Sequence, residues 1–147
     1  MRPRVVMHTQ ISLDGCVKGF PESRSYYGEA AKIPSDMVLF GSETVRLAVE
    51  HFPPETERAF HKPIPDPEDK RQDWVIPDSR GRLRNLHVFR NTEYCRDIIL
   101  LVSGSTPHEY LSYLKQREYD SIVTGDTKVD LAEALEKLHE RYGCNVL

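Results

Sequence analysis

Three short segments hold residues whose types and spacing could do chemistry. Ser12-Leu13-Asp14-Gly15 sets a hydroxyl and a carboxylate on a turn. A carboxylate so placed could assist proton delivery, or the Asp-Gly pair could serve only the backbone of the turn. Gly41-Ser42 stands where an apolar run gives way to a helical pattern. Glycine lets the backbone come close to a ligand, and unpaired helical N–H groups suit a phosphate; the alternative is an ordinary junction capped by Ser42 or Thr44. Asp78-Ser79-Arg80 offers a hydroxyl and a planar guanidinium fork, the equipment of a phosphate contact. A solvated arginine-rich loop is the competing reading, and the preferred one for Arg82 and Arg84. Arg46 and Arg58 are cations that could reach a phosphate, although no motif assigns either.

Other chemistries find little support. The six histidines, His8, His51, His61, His87, His108 and His139, show no ligand spacing such as HxxxH. His8 falls within an alternating stretch and reads as a core or sheet-face residue. Cys16, Cys95 and Cys144 are far apart and odd in number, which supports neither a zinc site nor a disulfide framework. No metal is expected. Neither a serine nor Cys16 lies in a nucleophile elbow. Tyr26-Tyr27 could close over an aromatic ring but reads first as packing, and Trp74 reads as a core anchor.

The elements that must position these segments alternate. Residues 5–11 read as a strand, 26–33 as a short helix stopped before Pro34, and 37–40 as a buried strand. Residues 52–71 carry Pro53, Pro54, Pro63, Pro65 and Pro67 among charges and read as a long irregular loop. A strand at 74–76 precedes a turn-rich stretch at 77–81. Apolar segments follow at 86–89 and 97–102. Thr106, Pro107 and Glu109 read as a capping box opening a helix, residues 121–124 as a strand, and Asp130 with Glu133 as a second capping box. Leu131, Ala134, Leu135, Leu138 and Tyr142 recur at helical spacing up to Gly143, a C-terminal stop. Strand and helix alternating through such short connections predict an α/β domain with a mainly parallel sheet. The apolar segment at 145–147 is short for a strand, so the last strands are expected to be missing.

The 147 residues fit one domain. Lys and Arg total 20 against 23 Asp and Glu, a net charge of −3, which disfavours nucleic acid as a partner. Residues 101–147 carry that whole acidic excess, whereas Arg80, Arg82, Arg84, Arg90 and Arg96 are accompanied only by Glu93. No apolar run approaches the roughly 20 residues of a membrane span, and the N-terminus does not continue into a secretory signal. The expected location is cytoplasmic, with reduced thiols.

In order and spacing, Ser12-Leu13-Asp14-Gly15, Gly41-Ser42-Glu43-Thr44-Val45, Asp78-Ser79-Arg80, the tract 105–114 and the tract 125–134 with Val129-Asp130-Leu131 resemble the RibD C-terminal reductase domain of riboflavin biosynthesis. That family is a branch of the dihydrofolate-reductase-like fold. The resemblance spans nearly the whole chain and implies a three-layer dihydrofolate-reductase-like domain. It also implies NADPH-dependent reduction of a ribosylamino-pyrimidinone phosphate to its ribitylamino form. By the same resemblance Asp14 lies at the reacting centre, with Ser12 near the substrate; Arg46 is expected on the substrate side without a motif that assigns it. Gly41, Ser42, Thr44 and Val45 contact the cofactor, and Ser79 with Arg80 holds its adenosine end, where a 2′-phosphate would favour NADPH over NADH.

Departures from the family pattern accompany the match. Cys16 stands where the family often has Lys, with Lys18 in a different register. The proline-rich 52–71 segment replaces an acidic, Arg-bearing stretch. The family's glycine pair beyond the strand at Val146 is absent. The expected partners are a pyrimidine phosphate substrate and a second copy in a homodimer, and the rival reading is a non-catalytic truncated homologue whose incomplete sheet mediates self-association.

Overall fold

The computed structural model describes residues 1–17, 19–20, 25–30, 32–57, 61–90 and 92–147, without the side chain of Tyr27. Lys18 and Arg58, weighed above as cations, lie outside the described residues, as does the Tyr27 side chain. The elements run α1 (Ser25–Ala30), β1 (Met37–Leu39), α2 (Ser42–Val49), β2 (Gln72–Pro77), α3 (His87–Arg90), β3 (Cys95–Val102), α4 (His108–Gln116), β4 (Asp120–Val123) and α5 (Leu131–Tyr142). The four strands form one sheet in the order β1-β2-β3-β4, every pair parallel.

Period-two alternation in the strands builds the layers. Ile98, Leu100 and Val102 of β3, with Ile76 of β2, pack on one side against Val45 and Val49 of α2, Leu86 and Phe89 around α3, and Tyr110 and Leu114 of α4. Val75, Ile99, Leu101 and Ile122 point to the other side, onto Ala134 and Leu138 of α5. The result is the expected helix–sheet–helix sandwich. Trp74 packs against this core, its ring 4.4 Å from Phe40 and 4.9 Å from Phe89.

The expected strand at 5–11 is not formed. Only Arg4 to Val6 find a neighbour: Arg4 N–H donates to the Asn145 carbonyl and Val6 N–H to that of Leu147, each at 2.8 Å. Beyond Val6 the alternating pattern has no ladder to join, and His8 is exposed rather than in the core, stacked 4.6 Å from Tyr26. Residues 145–147 are held on their other flank, where Val146 accepts from Asp36 N–H at 2.8 Å. Asp36 in turn accepts from the N–H groups of Asn145 and Val146.

The caps also differ from expectation in part. Gly41, not Ser42, is the extended N-cap of α2, and no side chain caps that helix. Helix α4 begins at His108, with Pro107 as its N-cap and no side-chain cap. Thr106 is committed elsewhere. Asp130 does cap α5, accepting from the N–H groups of Ala132 and Glu133. The reciprocal half of that box is missing, because Glu133 accepts instead from Gly125 N–H at 3.0 Å.

The proline-rich stretch is irregular but tied down. The Glu55 carboxylate accepts from Tyr113 Oη, Arg117 Nε and Asn85 N–H. Arg90 donates to the His61 carbonyl, and Lys62 N–H to Glu118. Lys62 Nζ lies 3.5 Å from Asp97 and 3.1 Å from Asp120, near the beginnings of β3 and β4. Residues 62–66 thereby wall a cavity of about 180 Å³ with Asp73, Arg96 and Tyr142. This loop therefore closes the end of the sheet where the strands begin.

Burial separates the three thiols. Cys95 and Cys144 are buried and Cys16 is exposed. Burial pushes the Cys95 thiol up to about 12 and Cys144 to about 11, since desolvation disfavours the thiolate. One thiol, Cys16, is expected to react promptly with an aromatic disulfide reagent at neutral pH, and all three after denaturation. Three prompt equivalents from the folded chain would contradict this packing.

Candidate functional site

In a parallel sheet the strands deliver their C-terminal loops to one edge, where ligands of open α/β sheets bind. Gly41 follows β1, Asp78-Ser79-Arg80 follows β2, residues 103–106 follow β3, and residues 124–130 follow β4. The last three of these loops are joined by hydrogen bonds. Ser79 accepts on its hydroxyl from Val129 N–H and on its carbonyl from Thr106 Oγ1, both at 2.9 Å. Gly104 N–H donates to the Gly125 carbonyl, and Ser105 N–H to that of Asp126. At this junction the Ser103 hydroxyl lies 3.2 Å from that of Ser105 and 3.3 Å from that of Thr106.

The turn after β2 is the most tightly built part. Asp78 is 4% exposed, and its carboxylate accepts from the N–H groups of Arg82 and Leu83 at 2.8 Å. Gly81 adopts φ 64° with its Cα against the Tyr110 ring; a Cβ there would sit 2.8 Å from Tyr110. Both the left-handed backbone and the close approach therefore demand glycine. Arg80 is exposed, and its guanidinium has no partner among the described residues. Arg84 is also exposed, but it is not simply solvated, lying 4.5 Å over the Tyr113 ring.

The remaining predicted positions are distributed as follows. Thr44 is exposed, whereas Val45 is 2% exposed with its side chain in the core. Any contact of Val45 with a ligand must use its backbone. Arg46 is occupied by its own helix, paired with Glu43 at 2.7 Å and Glu50 at 3.8 Å. Asp14 lies on an exposed turn whose hydrogen bonds are local. Cys16 N–H donates to Ser12 Oγ at 2.9 Å, and Ser12 Oγ donates to Asp14. The Ser12 hydroxyl, followed by the Cys16 thiol, holds the Asp14 carboxyl below its ordinary value, so that it is a carboxylate at neutral pH. None of these bonds reaches the loops at the sheet edge.

The edge offers groups that suit an anionic ligand. The free guanidinium of Arg80 adjoins Ser79, whose own hydroxyl proton has no acceptor among the described residues. The uncapped first turn of α2 lies beyond the neighbouring strand. Among the described residues no group of His, Cys, Asp and Glu could hold a metal ion. No described helix is long and apolar enough to cross a membrane. Thr106, Ser103 and Asp78 as a hub were missed as site-building residues. The run Ser103-Gly104-Ser105-Thr106 directly after a buried strand was the available signal.

The family model for the RibD C-terminal domain matches residues 3–147. No curated protein matches the chain significantly.

Proposed function

The chain belongs to the RibD C-terminal domain family, whose membership implies a pyrimidine-reductase-like function in riboflavin biosynthesis, and from that premise we propose an NADPH-dependent reductase. Its substrate is a ribosylamino-pyrimidinone 5′-phosphate and its product the ribitylamino form. The observation that carries this reading is the free Arg80 guanidinium on the clamped turn beyond β2.

When bound, the nicotinamide cofactor supplies hydride. Arg80 and Ser79 hold the adenosine 2′-phosphate by charge-assisted hydrogen bonds. Gly41, Ser42 and Thr44 offer backbone N–H groups at the start of α2 to another anionic part of the ligand. Asp14, kept ionised by Ser12, balances the positive charge of the protonated imine of the opened sugar, and Ser12 and Arg46 serve the substrate side. Arg46 reaches a substrate phosphate by exchanging its pairs with Glu43 and Glu50 for it. A carboxylate in the state of Asp14 orients and stabilises; the proton on the nitrogen comes from the substrate's own protonation equilibrium.

Calorimetric titration of NADPH against NADH tests this reading. NADPH is expected to bind more tightly, and Arg80→Ala to weaken it roughly 10- to 100-fold, the loss of a hydrogen bond to a charged group at about 1.5–3 kcal/mol. NADH affinity should be unchanged. No preference for NADPH in the folded wild-type chain would refute the assignment.

A second reading, self-association of a non-catalytic homologue, is favoured by one observation. Met7, Ile11 and Leu13 of the unpaired N-terminal stretch are 91%, 58% and 108% exposed, an apolar series that a second copy could cover. A monomeric mass by light scattering across the micromolar range would dispose of it.

A further inference from the structure

We propose that Thr106 is a positioning residue that sets the aim of Arg80, and hence selectivity for a 2′-phosphate; this rests on the cofactor reading above. Arg80 can recognise an anion only if the backbone beneath it is fixed, because a guanidinium fork loses its advantage when misaligned. Side chains and backbone from three directions fix that backbone. Asp78 gathers the N–H groups of Arg82 and Leu83 on the far side of Arg80. Val129 N–H holds the Ser79 hydroxyl from the β4–α5 loop. Thr106 supplies the third hold, from the β3–α4 loop.

Thr106 is suited to this by its two-sided bonding. It is 5% exposed. Its Oγ1 accepts from Ser103 N–H at 2.9 Å and donates its one proton to the Ser79 carbonyl at 2.9 Å. The Ser79 carbonyl belongs to the peptide that joins Ser79 to Arg80, so this bond fixes the plane from which the Arg80 side chain departs. The same hydroxyl is tied to the end of β3, and the position of Arg80 is thereby referred to the rigid centre of the sheet. The Thr-Pro pair that reads as a helix cap in sequence has this different use. Asp78, Gly81 and Val129 shape the turn as well, but among the described residues only Thr106 holds the Ser79–Arg80 peptide through a side-chain hydrogen bond.

The test compares Thr106→Val, which removes the hydroxyl at nearly constant shape, with Thr106→Ser, which keeps it. The probes are adenosine 2′,5′-bisphosphate and adenosine 5′-monophosphate, and the readout is the ratio of their affinities. Thermal unfolding confirms that each variant is folded. A purely structural loss weakens both probes together and leaves the ratio alone. A positioning role predicts that Thr106→Val lowers the ratio about 3- to 10-fold, the worth of one hydrogen bond. Thr106→Ser should restore it, and in an Arg80→Ala background Thr106→Val should have no further effect on the ratio, since both act through one contact. An unchanged ratio in Thr106→Val overturns the role of Thr106 while the cofactor reading stands. A wild-type chain with no preference for the 2′-phosphate refutes the cofactor reading, and this role falls with it. Thermal unfolding also guards the first variant: should Thr106→Val fail to fold, Thr106→Ala, which also lacks the hydroxyl, decides in its place, a lowered ratio supporting the role and an unchanged ratio overturning it.

Discussion

Arg90→Ala is expected to destabilise the folded chain by about 3–5 kcal/mol, the cost of removing one partner of a buried ion pair. Arg90 Nε meets Asp97 Oδ1 at 2.7 Å, with side chains only 4% and 12% exposed. The guanidinium also donates to the carbonyls of Arg117 and Glu118, and it lies 4.0 Å over the Tyr119 ring. Its loss takes the donor from those carbonyls and leaves the Asp97 carboxylate, 12% exposed, with Ile98 N–H and the more distant Lys62 at 3.5 Å. Arg96→Ala is the internal comparison. Arg96 pairs with Asp73 at 2.6 Å, but its side chain is 43% exposed, so about 0–1 kcal/mol is expected. Urea unfolding of the two variants reads the difference directly. Equal shifts in midpoint would mean that Arg90 is not the buried anchor described.

Glu55→Ala is expected to cost a similar amount, about 3–5 kcal/mol, for a related reason. Glu55 and Arg117 side chains are 8% and 13% exposed and directly paired. Tyr113 and Asn85 also donate to the carboxylate and His87 Nδ1 lies 3.9 Å from it, while Arg117 covers the Tyr113 ring at 3.9 Å. Alanine leaves a guanidinium facing a tyrosine hydroxyl and a backbone N–H that have all lost their acceptor. Glu55→Gln keeps one acceptor and should cost less. Because Glu55 anchors the loop at the end of the sheet where strands begin, NADPH affinity of the folded fraction should survive in both variants. Unfolding curves and calorimetry on the same samples separate the effects. A loss of NADPH affinity with unchanged stability would contradict this anchoring.

These residues also mark how far the sequence could be read. Much of the parallel sheet and its helices was legible because periodicity is a local property: α5 carries its apolar stripe, its Asp130 cap and its Gly143 stop in one continuous stretch, whereas of the two apolar segments at 86–89 and 97–102 the first gave the helix α3 and the second the buried strand β3. The strand expected at 5–11 failed because alternation supplies a face but not a neighbour, and among the described residues Val6 N–H alone of that stretch donates to the backbone of another segment. Thr106 failed as a cap for a comparable reason. Its hydroxyl had a local use in the sequence pattern, yet Ser79, 27 positions earlier, offered a carbonyl that no local pattern could announce.

The candidate site divides the same way. Ser79 and Arg80 were identifiable from residue type and order, and their place beyond β2 follows from the strand preceding them. That Val45 faces the core, that Arg46 is held by Glu43, and that the proline-rich loop binds the opposite end of the sheet depended on which surfaces met. Composition and periodicity determined that this chain forms a parallel α/β sandwich, because burying alternating apolar residues leaves few other arrangements. Only the tertiary structure decided which polar groups would be clamped and which left free, because the partners that hold Ser79, namely Thr106 and Val129, lie on other strand-end loops and are brought near by the sheet.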